Sequence, residues 1–350
     1  MASRNTGLKI VLGVLCALCL LFTLSWWMPY SWETVPFMAD ISALAPWTLV
    51  LIIITFAIAA YNRRGITCIV MSLCLVLQGV AIFPYFGHAD TELSPATREI
   101  MADMSTDKVA NPNDRCARIM TLNVGQGRAD VHEIVRTVSE KRIEVLALQE
   151  TTESFITELE NAGIESYLPN HIESDSSSGT MNAIYTMASL GDPSPTSIDS
   201  SASDFPAATV TFTGSGKSSR IRFICVHTTS PKSGSFSQWG RALDEISGWS
   251  AQHASDGTAY VLLGDFNATS SQKHFQRILA PGFRDAARVT KSGMQFTWPV
   301  NGPLPSLVTI DHILVNSGVH VGDATTVKIK GTDHKAVLAV VEPSDIDGSK

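Results

Sequence analysis

The chain has 350 residues, 45% of them hydrophobic, and a formal net charge of −7. This length allows one large domain or two smaller ones, and the apolar content is ample for a buried core. The first 87 residues hold four of the 26 basic and two of the 33 acidic residues, which leaves 22 basic against 31 acidic residues, a formal charge of −9. Because duplex-binding surfaces need clustered basic residues, tight binding of duplex DNA is not expected.

Three long apolar runs lie near the start of the chain, at about 8–28, 43–61 and 66–86. The second and third contain no charged residue, and the first contains none after Lys9. Each has the ~20 residues that cross a bilayer core. Residues 1–87 are therefore predicted to form a membrane domain with three transmembrane helices. For the first run a cleavable signal peptide is the alternative, but no clear cleavage site precedes Trp26-Trp27.

The charged residues between these runs predict the orientation. The basic residues lie at or before the start of the first run, or between the second and third: Arg4, Lys9, Arg63 and Arg64. The connection between the first and second runs carries only Glu33 and Asp40. By the positive-inside bias the N-terminus is cytoplasmic, and three spans would place the rest of the chain outside, in a multi-pass protein of the cell membrane.

The remainder divides into a linker, a soluble domain and a short tail. Residues 88–116 are polar and lack clear periodicity, which predicts an extracytoplasmic linker. Strand and helix patterns alternate over about 117–342 and predict an α/β or α+β domain, and 343–350 form a polar tail. Cys116 and Cys225 could form a disulfide in an exported domain or remain as two buried thiols.

Several predicted buried strands of this domain end in polar residues. The strand at 118–123 ends in Asn123, and the apolar strand that begins at Ile143 ends in Gln149-Glu150. A carboxylate after such a strand is costly unless it has a partner, and a divalent cation suits carboxylate and amide oxygens. A helix N-terminal charge is the alternative for Glu150 alone.

The segment Val261-Leu262-Leu263-Gly264-Asp265-Phe266-Asn267 shows the same pattern most clearly. Asp265 and Asn267 lie on the same side of the chain and could align and deprotonate a water molecule while a divalent cation carries phosphate charge. An Asx-turn is the alternative. Three further strand-associated polar segments are Val226-His227, Ile310-Asp311-His312 and Thr332-Asp333-His334.

This ordered set of segments resembles the endonuclease/exonuclease/phosphatase superfamily, which includes deoxyribonuclease-I-like nucleases, exonuclease-III-like repair enzymes, bacterial sphingomyelinases and inositol polyphosphate 5-phosphatases. The resemblance covers about Ala117 to Val341. It implies an α/β (α+β) four-layer sandwich of two mixed β-sheets flanked by helices. Together with the three predicted transmembrane helices, it indicates a membrane-anchored, bacterial-type member.

The resemblance also implies a role for each matching residue. Glu150 would be the principal ligand of Mg²⁺, with Mn²⁺ as the alternative, Asn123 would be a second metal-site residue, and Asp333 would lie close to the metal. Asp265 would align and deprotonate the attacking water. Asn267 would help to position that water and the phosphate.

The remaining roles concern the substrate. His334, oriented by Asp311, would bind the scissile phosphate, and His227 would contact the phosphate or protonate the leaving oxygen. Asn182 matches a position at which relatives often have a small polar phosphate contact. Trp298 could stack on a substrate or serve only in packing. His312 departs from the pattern and is predicted to be structural.

The sequence thus predicts a membrane-anchored, divalent-metal-dependent phosphoesterase that acts outside the cytoplasm on a phosphodiester or phosphomonoester. Tethering raises the effective concentration of membrane-linked substrates, which favours a phospholipid headgroup, a lipid-linked sugar phosphate or a cell-envelope polymer. An extracytoplasmic endonuclease or exonuclease is the alternative enzyme. A catalytically silent, membrane-tethered binding module is the alternative of another class.

Overall fold

The computed structural model describes residues 2–89, 91–103, 111, 113–175, 179–214, 217–300, 302 and 305–344. Parts of the predicted linker lie outside these ranges, namely residues 90, 104–110 and 112, and so does most of the predicted polar tail. The N-terminal helices are α1 (Ala2–Ser25), α2 (Tyr30–Glu33), α3 (Met38–Ala43), α4 (Thr48–Tyr61), α5 (Gly65–Ile82) and α6 (Pro95–Asp103).

Two helical segments are long and apolar enough to cross a membrane, Thr6–Ser25 and Gly65–Tyr85. Three transmembrane helices were predicted, and the structure has two helices of sufficient length and apolar composition. Over the predicted span 43–61 the chain forms a shorter apolar helix, because Pro46 lies in a 3-10 turn and α4 itself has 14 residues. At 1.5 Å per residue, α4 is about 21 Å long, against a bilayer core of about 30 Å.

The rest of the described chain is a mixed α/β domain. Its strands are β1 (Ala117–Asn123), β2 (Ile143–Thr151), β3 (Asn170–Glu173), β4 (Met181–Thr186), β5 (Gly191–Ser194), β6 (Ala207–Gly214), β7 (Lys217–His227), β8 (Ala259–Asp265), β9 (Arg284–Asp285), β10 (Asp311–Val315), β11 (Val319–Lys328) and β12 (Lys335–Pro343). Its helices are α7 (Val131–Lys141), α8 (Glu153–Asn161), α9 (Phe236–His253), α10 (Lys273–Leu279) and α11 (Ala286–Val289).

The strands form two six-stranded sheets, in the orders β11-β12-β1-β2-β4-β3 and β5-β6-β7-β8-β10-β9. Both sheets are mixed, since β1 and β2 are parallel, β7 and β8 are parallel, and the other pairs are antiparallel. The predicted arrangement of two mixed sheets flanked by helices is confirmed.

Strand β1 shows why apolar residues occupy consecutive positions in the predicted strands. Its Ile119 packs between the two sheets with Phe223 and Leu263, whereas the next residue, Met120, packs under α7 and α8. A strand that is covered on both faces needs apolar side chains at consecutive positions. Helices α9 and α10 cover the second sheet in the same way, through Trp239 and Phe275 among others.

The topology brings the polar ends of these strands to one edge of the sandwich. In the first sheet Asn123 pairs with Gln149, the residue before Glu150. In the second, Asp265 lies between His227 and Asp311. Parallel neighbours end at the same edge of a sheet, so the functional groups at the ends of β1, β2, β7 and β8 lie close together.

The segment between α1 and α4 is docked on the α/β domain. The buried Glu33 carboxylate accepts hydrogen bonds from the backbone N–H groups of Lys273 (2.5 Å) and His274 (3.0 Å), and it lies 2.8 Å from His274 Nδ1. Gln272 Nε2 donates to the Ala39 carbonyl at 3.0 Å, and Trp47 Nε1 donates to that of Leu307 at 2.6 Å. These contacts fix the segment against the domain.

Cys116 and Cys225 are both buried free thiols. Cys116 packs beside Leu93 and Val340, whereas Cys225 lies between the sheets and accepts a hydrogen bond from Gln149 Nε2 at 3.1 Å. The two thiols belong to different packing environments. Of the two alternatives that the sequence left open, the structure therefore has two buried thiols and no disulfide between them.

Gly264 is required by the close approach of β7 and β8. Its φ is +152°, and a Cβ at this position would lie 1.9 Å from the Val226 carbonyl oxygen. Gly264→Ala is expected to destabilise the fold by about 3 kcal/mol or more, through backbone strain and overpacking. The thermal midpoint of the detergent-solubilised protein, followed by circular dichroism, measures this.

Gly248 provides the matched control because it lies in α9 with nothing within 4 Å of an added Cβ. Gly248→Ala should stabilise the helix by about 0.5–1 kcal/mol. A Gly264→Ala protein that melts with or above the wild type would show that the backbone can relax at this position.

Candidate active site

A cavity of about 770 Å³ opens at the edge of the sandwich where the polar strand ends converge. Seven of the ten residues predicted from the sequence line it: Glu150, His227, Asp265, Asn267, Trp298, Asp333 and His334. Asn123 and Asp311 lie directly behind this lining, in hydrogen-bond contact with it. Asn182 lies elsewhere.

A buried cluster of Asp265, Asp311 and His334 forms the floor. His334 Nδ1 is 2.9 Å from Asp311 Oδ2, and His334 Nε2 is 3.9 Å from Asp265 Oδ2. All three residues are at least 94% buried. The imidazole therefore lies between two carboxylates, one of which orients it while the other faces the cavity.

This environment changes the acidity of both partners. Burial, followed by the charge of Asp311, raises the pKa of Asp265 to about 6, although His334, His227 and the hydrogen bond from Asn123 act in the opposite direction. Burial by itself would lower the pKa of His334, but the carboxylates, Asp311 first, outweigh it and raise that pKa to about 10. Near neutral pH the floor thus presents an imidazolium beside a carboxylate of increased basicity.

Asn123 connects this floor to Glu150. Its Nδ2 donates to Asp265 Oδ2 at 2.9 Å and to Glu150 Oε1 at 3.1 Å, and its Oδ1 accepts from the Gly125 N–H at 2.9 Å. In this arrangement Asn123 holds two carboxylates at a fixed separation. Its role as a metal ligand stays a prediction.

Glu150 is aimed into the cavity by an irregular backbone. The pairing of β2 with β4 shifts between Leu148 and Thr151, and Glu150 has φ of +58°. A β-bulge re-aims a side chain in this way, and a left-handed φ at a residue other than glycine costs about 1–3 kcal/mol. The carboxylate is partly exposed and lies 3.5 Å from His227 Nε2.

Asp265 and Asn267 form the Asx-turn that the sequence left open as an alternative. The Asn267 N–H donates to Asp265 Oδ1 at 2.8 Å, and Asn267 has φ of +46°. Asn267 Nδ2 donates to the Thr228 carbonyl at 2.9 Å. The turn and the site are compatible, because the turn uses Oδ1 of Asp265 and leaves Oδ2 toward Asn123 and His334.

Asp333 and Trp298 form the rim. Trp298 Nε1 donates to Asp333 Oδ2 at 3.0 Å, and Trp298 is 38% exposed. Arg128 Nη2 lies 3.7 Å from Asp333 Oδ1 and also lines the cavity. Sequence reasoning missed Arg128, although it follows directly on the turn Val124-Gly125-Gln126-Gly127 that leaves the site.

Two predicted residues lie away from the cavity. Asn182 Nδ2 donates to the Asp204 carbonyl at 2.9 Å and to Ser203 Oγ at 3.2 Å, so it supports a loop, and a phosphate contact stays a prediction.

His312 Nδ1 is 2.8 Å from Asp285 Oδ2, and its Nε2 is 3.0 Å from the Ala268 carbonyl oxygen. Both ring nitrogens of His312 face acceptors, which fits a protonated structural histidine.

The donor set fits a hard divalent cation. Carboxylate and amide oxygens are the ligands that Mg²⁺ and Mn²⁺ prefer. Asp265, Asp311 and His334 are close enough to form one metal-binding group, with ligand atoms within 4.8 Å of one another. His334 already compensates both of these carboxylates, however, whereas the partly exposed, strained Glu150 presents its charge to the cavity. Glu150 is therefore the better candidate for the principal ligand.

The chain was compared with known families and structures. The sequence profile described as the endonuclease/exonuclease/phosphatase family matches residues 120–334. No curated protein matched the sequence.

Several solved structures resemble the α/β domain. A truncated Caenorhabditis elegans TDP2 is 17% identical and has a TM-score of 0.50, over 65% of this chain and 98% of that one. A humanized D. rerio TDP2 is 15% identical with a TM-score of 0.52, over 65% and 99%. An AP endonuclease from Archaeoglobus fulgidus is 18% identical with a TM-score of 0.51, over 64% and 98%. At these identities the likeness establishes the fold.

The pair of His312 and Asp285 predicts a pH-dependent contribution to stability. Burial would lower the pKa of His312, but Asp285 outweighs it and raises that pKa above the ordinary 6.5. The contribution is complete below about pH 6.5 and is lost as the pH rises through the folded-state pKa. Asp285→Asn should therefore destabilise the protein by about 3 kcal/mol or more at pH 6, and by less at alkaline pH.

Thermal midpoints between pH 5.5 and pH 9 measure this difference. Asp192→Asn, the same change at an exposed carboxylate, should leave the midpoint unchanged. A destabilisation by Asp285→Asn that is equal at all pH values would indicate lost packing and a neutral His312.

Proposed function

We propose that this chain, which belongs to the endonuclease/exonuclease/phosphatase family, is a divalent-metal-dependent phosphoesterase. Members of the family are usually metal-dependent hydrolases of phosphoric esters. The observation that carries the proposal is the convergence of Glu150, Asp265 and His334 on one cavity of about 770 Å³. The three lie on different strands or loops and are separated by more than 60 residues along the chain.

Asp265 is the proposed base. Its Oδ1 is held by the Asn267 N–H, which leaves Oδ2 at the cavity floor to orient a water molecule and accept its proton. With a pKa of about 6, the carboxylate is ionised at neutral pH and basic enough for this transfer.

His334 is the proposed phosphate-binding group. Asp311 keeps it charged and fixes its ring, so the Nε2–H faces the cavity as a preorganised donor to nonbridging phosphate oxygens. His227, which lies near Glu150 and lines the same cavity, is placed to contact the phosphate or to protonate the leaving oxygen.

Glu150 would hold the metal, with Asn123 and Asp333 as the other predicted members of the site. A bound divalent cation would supply Lewis-acid stabilisation of the negative charge on the phosphate. Mg²⁺ is the proposed ion and Mn²⁺ the alternative. A silent binding module is less consistent with the structure, because such a protein has no need for a strained Glu150 or a buried Asp311–His334 pair.

We place the enzyme in the cell membrane with its α/β domain outside the cytoplasm. Lys9 and Arg64 line one surface cavity at the end of α1 and α5 that is remote from the α/β domain. At the near end, Trp26 Nε1 donates to Gln78 Oε1 at 3.1 Å. Helices α1 and α5 therefore run in the same direction, with their basic ends together, which by the positive-inside bias supports a cytoplasmic N-terminus.

Asp265→Asn and His334→Gln should each lower the hydrolysis of bis(p-nitrophenyl) phosphate by about 10²- to 10⁴-fold, because each removes a group that acts on the water or the phosphate. EDTA should abolish wild-type activity, and added Mg²⁺ or Mn²⁺ should restore it. His320→Gln is the matched control, since His320 lies on β11 and outside the cavity. If either site variant kept half of the wild-type rate with unchanged circular dichroism, its proposed role would be wrong.

The proposed sidedness can be measured with alkaline phosphatase, which is active only outside the cytoplasm. A fusion after Lys350 should be active, and a fusion after Arg64 should be inactive. Activity of the second fusion alone would reverse the orientation and place the site in the cytoplasm.

A further inference from the structure

One wall of the active-site cavity comes from the membrane domain. The inter-span segment, residues 26–47, connects α1 to α4, and its Ala39, Asp40, Ala43 and Leu44 line the same cavity as Asp265 and His334. It is held there by the buried Glu33 and by the hydrogen bond from Gln272 to the Ala39 carbonyl. The wall is thus a fixed part of the site.

The facing wall is apolar as well. Leu307, Val308 and Ile310 line it, next to Trp298 at the rim. Trp47 joins the two walls, because its Nε1 donates to the Leu307 carbonyl and its ring stacks on Phe296 with centroids 5.1 Å apart. The cavity therefore has a charged floor and two mainly apolar sides, of which the first also carries Asp40.

The position of this segment relates the cavity to the bilayer. It begins where the apolar helix Thr6–Ser25 ends and finishes where the apolar segment Ala45–Tyr61 starts. Its surface carries exposed aromatic side chains, with Trp27 46%, Trp32 58% and Phe37 70% exposed. Aromatic residues between apolar helices are typical of the membrane interface, and with these helices in a bilayer the cavity would lie at the level of the lipid headgroups.

We propose that the substrate is a membrane lipid, a phosphate ester whose phosphate lies at Asp265 and His334 and whose apolar chain lies between Leu44 and Leu307. This inference rests on the proposed phosphoesterase function. A soluble sugar phosphate would leave both apolar walls without a partner. A nucleic acid would likewise leave both apolar walls without a partner, and its further phosphates would lie near Asp40 as well as near Arg128 and Lys232.

The test uses the full chain in nanodiscs, with bis(p-nitrophenyl) phosphate as reporter substrate and methyl, butyl, hexyl and octyl phosphate as competitive inhibitors. All four inhibitors carry the same phosphate, so they differ only in the chain that reaches the walls. The inhibition constant should fall by roughly three- to fourfold for each added methylene that becomes buried. Equal inhibition by methyl and octyl phosphate, with turnover intact, would overturn the lipid inference and leave the phosphoesterase proposal standing.

Leu44→Gln should flatten this chain-length dependence, because it replaces an apolar wall side chain by an uncharged polar one of similar size. Val35→Gln is the matched control: Val35 is in the same segment and 50% exposed, but it does not line the cavity. Ala43→Phe should weaken inhibition by octyl phosphate more than by methyl phosphate, since it narrows the space between the walls.

The variants distinguish binding of the alkyl chain at the proposed wall from its partition into the bilayer. If Leu44→Gln and Val35→Gln change the dependence equally, or if neither changes it, chain-length selectivity comes from partition into the bilayer and the proposed wall is wrong. If the wild type with Mg²⁺ or Mn²⁺ hydrolyses no reporter, the phosphoesterase proposal fails, and the lipid inference fails with it.

Discussion

The buried pair of Asp311 and His334 is the interaction on which the site depends. Removing both groups from water is costly unless they are paired closely, and here Nδ1 of the imidazole lies 2.9 and 3.1 Å from the two carboxylate oxygens. The loop that carries His334 is held in addition by Thr332. Thr332 Oγ1 donates to the Asn123 carbonyl at 2.7 Å and accepts from the His334 N–H at 3.2 Å, which joins the last strand to the end of β1. One hydrogen-bond network therefore connects the cavity floor at His334 with Asn123 and, through it, with Glu150.

Much of this arrangement follows from the sequence because both sheets are covered on both faces. Strands such as β1 and β8 are apolar at consecutive positions and then end abruptly in Asn123 or Asp265, so the strands and the functional groups at their ends can be predicted together. The bulge at Glu150 could not be predicted, since its left-handed backbone depends on pairing with β4. The docking of Glu33 on His274 could not be predicted either, because the two residues are 241 positions apart. Pro46 was visible in the sequence, but its effect on the length of α4 depends on where the 3-10 turn forms.

Part of the backbone strain of the chain lies at the site. Glu150 and Asn267 have positive φ, and Gly264 has a conformation that other residues rarely adopt. The regular packing of the two sheets must stabilise these positions, because each local conformation is unfavourable by itself. The result is a group of side chains whose directions are set by the main chain. Such preorganisation favours catalysis, since little rearrangement is needed when charge develops on a phosphate.

The contacts of the inter-span segment give the N-terminal helical region a part in the site, in addition to its proposed role in anchoring. Glu33 accepts two backbone N–H groups at the start of α10 and lies beside the buried His274 ring. Charge-assisted hydrogen bonds of this kind contribute about 1.5–3 kcal/mol each, and loss of Glu33 would leave their donors buried without an acceptor. An α/β domain separated from residues 1–87 would lose this carboxylate acceptor and one wall of the cavity. It would also lose the Ala39 carbonyl, which accepts the hydrogen bond from Gln272 Nε2. The proposed membrane attachment and the proposed substrate selection would therefore be coupled through the same short segment, which would explain why a connection between two apolar helices contains a fully buried carboxylate.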